Sequence, residues 1–180
     1  LIAEGADLLD IGGESTRPGA VPVTLDEERR RVLPVLEALA DAGVPLSIDT
    51  QKPELMREAA AAGAAMINDV NGVEAQGALA AVAAGHCAIC IMHKQGSPQD
   101  MQQSPQYTDV VTEVRDYLQQ RVAAAQQAGV SRERLLVDPG FGFGKTLNHN
   151  LELLRRLDEI AAPGVPVLAG LSRKSMIGKL

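Results

Sequence analysis

The chain is poor in cysteine, with only Cys87 and Cys90 among its 180 residues. Their Cys-Ala-Ile-Cys spacing would suit a metal or redox motif, but the surrounding apolar run predicts a strand. Positions three apart in a strand point to opposite faces, so we interpret both cysteines as structural. Without a disulfide framework, a reducing cytoplasm is the expected location.

The chain also lacks an apolar run of the roughly 20 residues that a membrane helix needs. Basic residues are fewer than acidic ones, 17 against 23, which gives a net charge of −6. That balance argues against non-specific binding to nucleic acid or to an anionic membrane. An anionic ligand would therefore need a locally positive site.

A nucleotide-binding loop is absent as well, although the segment DPGFGFGKT at 138–146 has the look of one. A P-loop would need a glycine where Pro139 stands, and a dinucleotide fingerprint would need one where Lys145 stands. We interpret the glycines as residues that permit tight turns, which place Asp138 and Phe143. Lys145 is then expected to be a solvated loop lysine.

Short apolar runs alternate with helical segments along the chain. The runs predict strands at 7–12, 44–49, 65–70, 87–93, 135–138 and 165–171. Between them, Thr24 and Glu27 form a capping box ahead of one helix, and Pro53 suits the first position of another. The segment 149–161 predicts one continuous helix. Strands that alternate with helices indicate parallel βαβ units.

Polar side chains follow nearly every predicted strand at its carboxyl end. An open sheet concentrates its ligand crevice at one switch point, whereas a (β/α)8 TIM barrel collects all strand ends around one mouth. The sequence therefore predicts an α/β fold with a single barrel domain over residues 1–180. A complete barrel usually takes about 250 residues, so we expect about six of eight βα units, with the chain cut at both ends.

The strand ends deliver two carboxylates and an amide, Asp49, Asp138 and Asn68, while Arg17 and Lys174 follow the first and last predicted strands. Ionised carboxylates only accept hydrogen bonds, whereas an amide both donates and accepts. This set suits a flat heterocycle with a donor-donor edge, such as a 2-amino-4-oxo pyrimidine, beside an attached anion. Each short polar residue could instead be only a turn or helix cap.

Five motifs in order resemble those of bacterial dihydropteroate synthases over essentially the whole chain: DIGGESTRPGA, SIDTQKPE, MINDV, DPGFGFGK and GLSRKSMIG. The resemblance implies a (β/α)8 barrel that is normally a homodimer. It also implies an enzyme of folate biosynthesis that joins 6-hydroxymethyl-7,8-dihydropterin diphosphate to 4-aminobenzoate, giving 7,8-dihydropteroate and diphosphate. Sulfonamides resemble the aminobenzoate and compete for its site.

The same resemblance implies the residues that bind the pterin. Asp138 would accept hydrogen bonds from the ring N–H and the 2-amino group, and Asn68 would contact the adjacent ring nitrogens. Asp49 would lie against the reduced half of the ring. Lys174 would bond the carbonyl side and help to form the aminobenzoate pocket, and Met92 would pack against the ring.

The aminobenzoate and the diphosphate are assigned in the same way. A mobile loop with Thr16, Arg17 and Pro18 would close over both groups, and Phe143 and Ser172 would help to hold the aminobenzoate. The catalytic residues would be three: Asp49, Arg17 and Lys174. A largely dissociative substitution is expected, in which Asp49 stabilises the developing cation while Arg17, the basic strand ends and Mg²⁺ receive the diphosphate.

Two family motifs are absent, and the departure limits what this chain can do. One is the Asn-Val-Thr-Pro-Asp-Ser-Phe-type motif, whose asparagine contacts Mg²⁺, and the other is the Arg-x-His motif that binds the anion. No metal ligand is therefore expected in this chain. The chain alone is expected to fold poorly and to have no measurable synthase activity.

Two alternatives stay open at this point. A methyltetrahydrofolate methyltransferase domain is another pterin-binding barrel with a similar Asp…Asn…Asp pattern, although the ESTRPG and SRK motifs favour the synthase. A non-catalytic pterin-binding fragment is the second alternative, and its signature would be binding without turnover.

Overall fold

A computed structural model of the chain describes residues 1–17, 19–97, 101–161, 164–172 and 174. Five parallel strands form one sheet in the order of the sequence. They are β1 (Leu9–Gly12), β2 (Leu46–Asp49), β3 (Met66–Asp69), β4 (Ala88–Met92) and β5 (Leu135–Asp138). Each strand pairs with the next one along the chain. This progression has no switch point, as predicted for an arc of a barrel.

Helices connect the strands: α1 (Leu25–Ala38), α2 (Pro53–Ala61), α3 (Ala78–Ala84), α4 (Val110–Gln127), α5 (Leu147–Arg155) and α6 (Leu157–Ile160). Short 3₁₀ turns occupy Ile2–Glu4 and Arg132–Arg134. At α1 half of the predicted capping box forms, because the Thr24 side chain accepts from the Glu27 N–H while the Glu27 carboxylate bonds Arg30 and Arg31. The helix α2 begins at Pro53, as predicted. None of the helices in the described ranges is long and apolar enough to cross a bilayer.

Two expected elements differ from the structure. The helix predicted at 149–161 breaks at Arg156, whose backbone leaves helical geometry between α5 and α6. The sixth predicted strand contributes only a bridge between Val167 and Val137. Val137 donates to Pro166 O at 3.0 Å and accepts from Leu168 N at 2.9 Å. Pro166 has no N–H, which shortens the ladder that this segment can form.

The two faces of the sheet differ in composition because side chains alternate along each strand. The outer face packs against the helices and is aliphatic, with Ile48, Ile67, Ile89, Ile91 and Val137 in one buried cluster. The inner face carries Ala88 and Leu136 but is mostly polar or sulfur-containing, with Asp10, Ser47, Asp49, Met66, Asn68, Cys90, Met92 and Asp138. The candidate site lies where this inner face meets the carboxyl ends of the strands.

The two cysteines follow the same division. Cys87 lies just before β4 within the helix-facing cluster, where its thiol donates to Ala64 O at 2.9 Å. Cys90 lies in β4 on the inner face, and both are buried. Burial raises the pKa of each thiol, and for Cys90 the neighbouring carboxylates raise it further.

Candidate functional site

Asp49 and Asn68 lie side by side at the carboxyl edge of the sheet, paired in register between β2 and β3. The Asn68 amide donates to Asp10 Oδ2 at 3.0 Å, so its hydrogen-bond partner is a carboxylate on β1. Gly12 lies beside Asp49 in the pairing of β1 with β2, and a Cβ there would stand 3.4 Å from the Asp49 Cβ. The missing side chain leaves the space next to the Asp49 carboxyl open.

The pKa of Asp49 is raised strongly at this edge. Burial raises its pKa to about 8, and the charges of Asp10, Asp69, Glu28 and Glu14 contribute in the same direction. The carboxyl is therefore largely protonated at neutral pH before a ligand arrives. A ligand that brings positive charge or hydrogen-bond donors would favour its ionised form.

Asp138 ends β5 and is buried, with 6% of its surface exposed. Its Oδ1 accepts from the Gly140 N–H at 2.7 Å. Its Oδ2 stands 3.6 Å from where a Cβ on Gly170 would lie, and Lys174 Nζ stands 3.8 Å from the same point. Burial raises the Asp138 pKa, while the Gly140 hydrogen bond, Lys174 and Lys145 oppose that rise. One carboxyl oxygen of Asp138 is therefore held by the backbone, and the other lies over a position that has no side chain.

The segment after Asp138 curls tightly, as its glycines predicted. Gly140, Gly142 and Gly144 have φ values of 68°, 81° and 62°, a region that favours glycine. A Cβ on Gly140 would overlap the carbonyl oxygen of His93, and one on Gly144 would overlap that of Gln95. These glycines therefore serve close backbone packing against the chain after β4.

Lys174 and Phe143 lie together above this loop. Lys174 Nζ is 4.8 Å from the centroid of the Phe143 ring and donates to Phe141 O. Burial lowers the Lys174 pKa, and the Asp138 carboxylate opposes that fall. Met92 is buried at the end of β4, in register with Asp138. The structure thus brings Asp138, Met92, Phe143 and Lys174 into one neighbourhood.

The expectation that Lys145 is a solvated loop lysine is wrong. Only 3% of its surface is exposed, and its ammonium bonds His93 Nδ1 at 2.9 Å and the carbonyl oxygens of Gly140 and Phe143 at 3.0 Å each. The loop curls over the side chain, and the positive-φ glycines make that curl possible. Lys145 is therefore an internal part of the loop and does not face solvent.

The remaining predicted residues are Thr16, Arg17 and Pro18, which follow β1, and Ser172, which lies far along the chain. Thr16 lines a small cleft together with Asp49, Glu14 and Glu28. Arg17 is exposed, and Pro18 lies outside the described residues. Ser172 lies in an exposed turn after the Val167 bridge.

Glu14 anchors the segment after β1, a role the sequence did not suggest. Its carboxylate accepts from Lys52 Nζ at 2.5 Å, from Gln51 Nε2 at 2.9 Å and from Val23 N at 3.1 Å. Lys52 also bonds Glu28, which is 1% exposed. The second missed residue is Asp10, whose signal was its place two positions before Gly12 on the same strand face.

A metal site would need several acidic, histidine or cysteine side chains close together in the described ranges. They contain no group of three or more histidine, cysteine, aspartate or glutamate side chains placed to hold a metal ion. Asp10 accepts from the Asn68 amide and Asp138 from the Gly140 N–H, while Lys52 bonds Glu14 and Glu28. These residues do not by themselves form a magnesium site.

Comparisons with known proteins agree with this geometry. The family model described as pterin binding enzyme matches residues 1–180. The dihydropteroate synthase of Escherichia coli strain K12 is 51% identical over 181 residues, which cover all of this chain and 64% of that protein.

Solved structures show the same likeness in three dimensions. The Burkholderia cenocepacia dihydropteroate synthase complexed with 7,8-dihydropteroate is 57% identical, with a TM-score of 0.93 over 99% of this chain and 66% of that one. The Yersinia pestis enzyme in a sulfonamide drug complex is 48% identical, with a TM-score of 0.96 over 99% of this chain and 65% of that one.

The chain therefore spans about two thirds of the length of the proteins that it resembles. The likeness confirms the (β/α)8 barrel as the fold of which the five-strand arc is a part. The family model covers the whole chain, from residue 1 to residue 180. This chain belongs to the family of pterin-binding enzymes.

Proposed function

We propose that this chain forms the pterin-binding part of a dihydropteroate synthase, which condenses 6-hydroxymethyl-7,8-dihydropterin diphosphate with 4-aminobenzoate in folate biosynthesis. The observation that carries the proposal is the buried Asp138 carboxylate, at the same sheet edge as the register-paired Asp49 and Asn68. The Burkholderia cenocepacia relative bound to 7,8-dihydropteroate supports the same ligand chemistry here.

The pterin edge with two donors would face Asp138. Its Oδ1 already accepts one backbone N–H, which fixes the carboxyl plane, and its Oδ2 lies over Gly170. Asn68 would meet the mixed donor and acceptor atoms of the ring, and Met92 would pack on its face. Lys174, close to Asp138, would donate to the ring carbonyl. Each polar atom of the heterocycle then has a complementary partner.

The aminobenzoate would lie between Phe143 and Ser172, with the segment of Thr16, Arg17 and Pro18 closing over it and over the diphosphate. The cation–π contact of Lys174 with Phe143 links this pocket to the pterin pocket. The Yersinia pestis relative in a sulfonamide drug complex supports sulfonamides as competitors.

The chemistry we propose is a largely dissociative substitution at the pterin methylene. As the carbon–oxygen bond to diphosphate breaks, positive charge develops on the methylene and spreads into the ring, and an ionised Asp49 would stabilise it. Arg17 and the basic residues at the strand ends would receive the departing anion. The aniline nitrogen of aminobenzoate then attacks and loses its proton to solvent, so no strong general base is required.

Mg²⁺ is proposed as the ion that would accompany the diphosphate. Because the described residues do not form a site for it, no step here depends on it. A homodimer and a cytoplasmic location stay predictions.

A second candidate is binding of the pterin without turnover. The observation that favours it is the coverage, since the chain corresponds to 64% of the Escherichia coli relative. The methyltransferase alternative has no comparable support, because the relatives named above are dihydropteroate synthases.

The test is calorimetric titration of the purified chain with the pterin diphosphate and Mg²⁺, beside a circular dichroism melt. An extended form, in which this chain is flanked by the remaining segments of the Escherichia coli relative, would be measured in parallel and assayed for turnover. Micromolar binding by both forms with turnover only in the extended form would identify a binding part of the synthase. No binding by either form would refute the proposal.

The specific prediction concerns Asp138→Asn. Affinity for the pterin should fall about 100-fold, because an amide offers one acceptor and turns a donor towards the donor edge of the ring. The melting temperature should change little, since burial already disfavours the charged carboxylate. Asp158→Asn, at an exposed aspartate of α6, is the matched control and should bind like the unmodified chain. Equal affinities for both variants would remove Asp138 from the pterin site.

A further inference from the structure

Lys145 has the bonding pattern of a residue that organises a loop from inside. An ammonium group has three donors. Three acceptors lie within 3.0 Å of Nζ: His93 Nδ1, Gly140 O and Phe143 O, with His93 O farther away at 3.5 Å. With its donors taken by protein atoms and 3% of its surface exposed, Lys145 cannot also hold a phosphate or a substrate.

The partner histidine is held neutral, which lets it accept from the lysine. Burial lowers the His93 pKa to about 3, and the nearby Lys145 charge acts in the same direction. A neutral ring that accepts at Nδ1 carries its proton at Nε2. Burial also lowers the Lys145 pKa, to about 7, although the Asp138 carboxylate opposes the fall.

The two carbonyl groups that Lys145 bonds, those of Gly140 and Phe143, belong to the loop that runs from Asp138 to Phe143. Gly140 supplies both the carbonyl that bonds Lys145 and the N–H that holds Asp138 Oδ1 at 2.7 Å. The Phe143 N–H closes the turn by donating to Gly140 O at 3.1 Å. His93, in turn, donates its backbone N–H to Asp138 O at 3.0 Å. Gly140 therefore connects the two side chains, since it is hydrogen-bonded to both the Lys145 ammonium and the Asp138 carboxylate.

We propose that Lys145, together with His93, is a positioning residue for the ligand-binding carboxylate. It fixes the loop at 139–144 and, through Gly140, the direction of Asp138, without touching the ligand. This proposal rests on the proposed pterin function of the same site. Lys174 has a different place from Lys145. Its Nζ lies near Gly170, beside Asp138, and it bonds the loop at Phe141 O.

The test is a double-mutant cycle on pterin diphosphate affinity, measured by calorimetry in the extended form and in the 180-residue chain. Lys145→Met keeps the length of the side chain but removes the lysine donor from Phe143 O and one of the two donors from Gly140 O, so affinity should fall at least tenfold. Lys145→Arg keeps the donors and should restore most of the loss. In an Asp138→Asn background, Lys145→Met should change affinity less than threefold, because its effect passes through the carboxylate.

Lys94→Met is the matched control, since Lys94 is the neighbouring half-buried lysine on the chain after β4. It removes the same charge and should leave affinity within twofold. A loss equal to that of Lys145→Met would mean that charge alone matters and would overturn the positioning role. Equal losses for Lys145→Met with and without Asp138 would overturn it too, because independent effects add.

His93→Leu keeps the proposal testable if Lys145→Met does not fold. It removes one of the three acceptors and should weaken binding about threefold to fivefold, again less in the Asp138→Asn background; unchanged affinity would refute the pair. If the unmodified protein binds no pterin in either form, the proposed function fails and this proposal fails with it. If it binds and Lys145→Met binds equally well, only the positioning role fails.

Discussion

The outer and inner faces of the sheet use the same strands for different purposes. On the outer face, Ile48, Ile67, Ile89 and Ile91 are 0 to 1% exposed and pack against the helices. The inner face carries carboxylates, an amide, thioethers and a thiol, and its Ser47 Oγ is buried without a hydrogen-bond partner among the described residues. Burial of apolar surface stabilises the fold mainly on the outer face, which leaves the inner face free to hold costly polar groups.

Two aspartates show the contrast at the level of single side chains. Asp69, the last residue of β3, turns to the outer side and accepts from Asn71 N at 2.7 Å and from Val73 N at 2.8 Å. Burial raises its pKa to about 6, and these two bonds oppose the rise. Asp49 ends the neighbouring strand on the inner face among other acids, and its pKa reaches about 8. Asp69 stabilises a turn through two backbone bonds, whereas Asp49 lies among other acids on the inner face.

The largest expected effect compares adjacent residues of β4. Ile91→Ala, on the outer face, should lower the free energy of unfolding by about 3 kcal/mol, because it leaves a cavity in the packed cluster. Cys90→Ala, on the inner face, should cost only about 1 kcal/mol, since less apolar volume is lost. Urea denaturation of the extended form measures both. Equal costs would mean that the inner face is packed as tightly as the outer one.

A smaller loss is expected for Asp69→Ala. Two backbone N–H groups would lose their acceptor, and the turn that contains Val73 at a φ of 54° would lose its support. The free energy of unfolding should fall by about 2 kcal/mol at neutral pH. Asp116→Ala, at an exposed residue of α4, is the control in the same urea series. A loss no greater than that of the control would show that the turn holds without its cap.

The smallest expected effect is an increase in the free energy of unfolding, from a substitution at Asp49. Because the folded-state pKa of Asp49 is about 8 and its ordinary value is 3.8, the folded form binds more protons between those values. Its contribution to stability is therefore lost as pH rises from about 4 to 8. Asp49→Asn should raise the free energy of unfolding at pH 8 by about 1 to 2 kcal/mol, after allowance for solvent screening of a partly exposed group.

The measurement is a set of urea curves at pH 5 and pH 8. The gain from Asp49→Asn should be small at pH 5, where the carboxyl is already protonated in the folded form. Destabilisation at both pH values would show that the Asp49 carboxylate makes bonds as stabilising as those of Asp69. The contrast between the two faces would then be lost.

Local patterns predicted the strands well and the contacts between distant segments poorly. Alternation and turn residues located five strands, with β5 at its observed bounds and the others within two residues. The break at Arg156 has no helix-breaking residue to mark it in the sequence. Asp10 was missed because its partner Asn68 lies 58 residues away.

Lys145 shows most clearly why the rest of the site could not be predicted. A lysine after three glycines is typical of an exposed loop, and its burial depends on His93, which lies 52 residues earlier in the chain. The carboxyl edge that gathers Asp49, Asn68 and Asp138 was predictable, because parallel strands end on the same side. Which carboxyl is protonated was not, since the pKa of Asp49 depends on burial and on four other acids.

Cys87, buried between the sheet and its helices, and Cys90, buried on the inner face of β4, can report separately on the opening of the two sides of the sheet. Thiolates, not thiols, are alkylated, and both thiols are buried with pKa values above the ordinary range. A maleimide would therefore reach them only during transient openings. The labelling rate of Cys90 reports how often the inner face becomes exposed. The labelling rate of Cys87 reports how often the sheet separates from its helices. The ratio of the two rates tells which side of the sheet opens first.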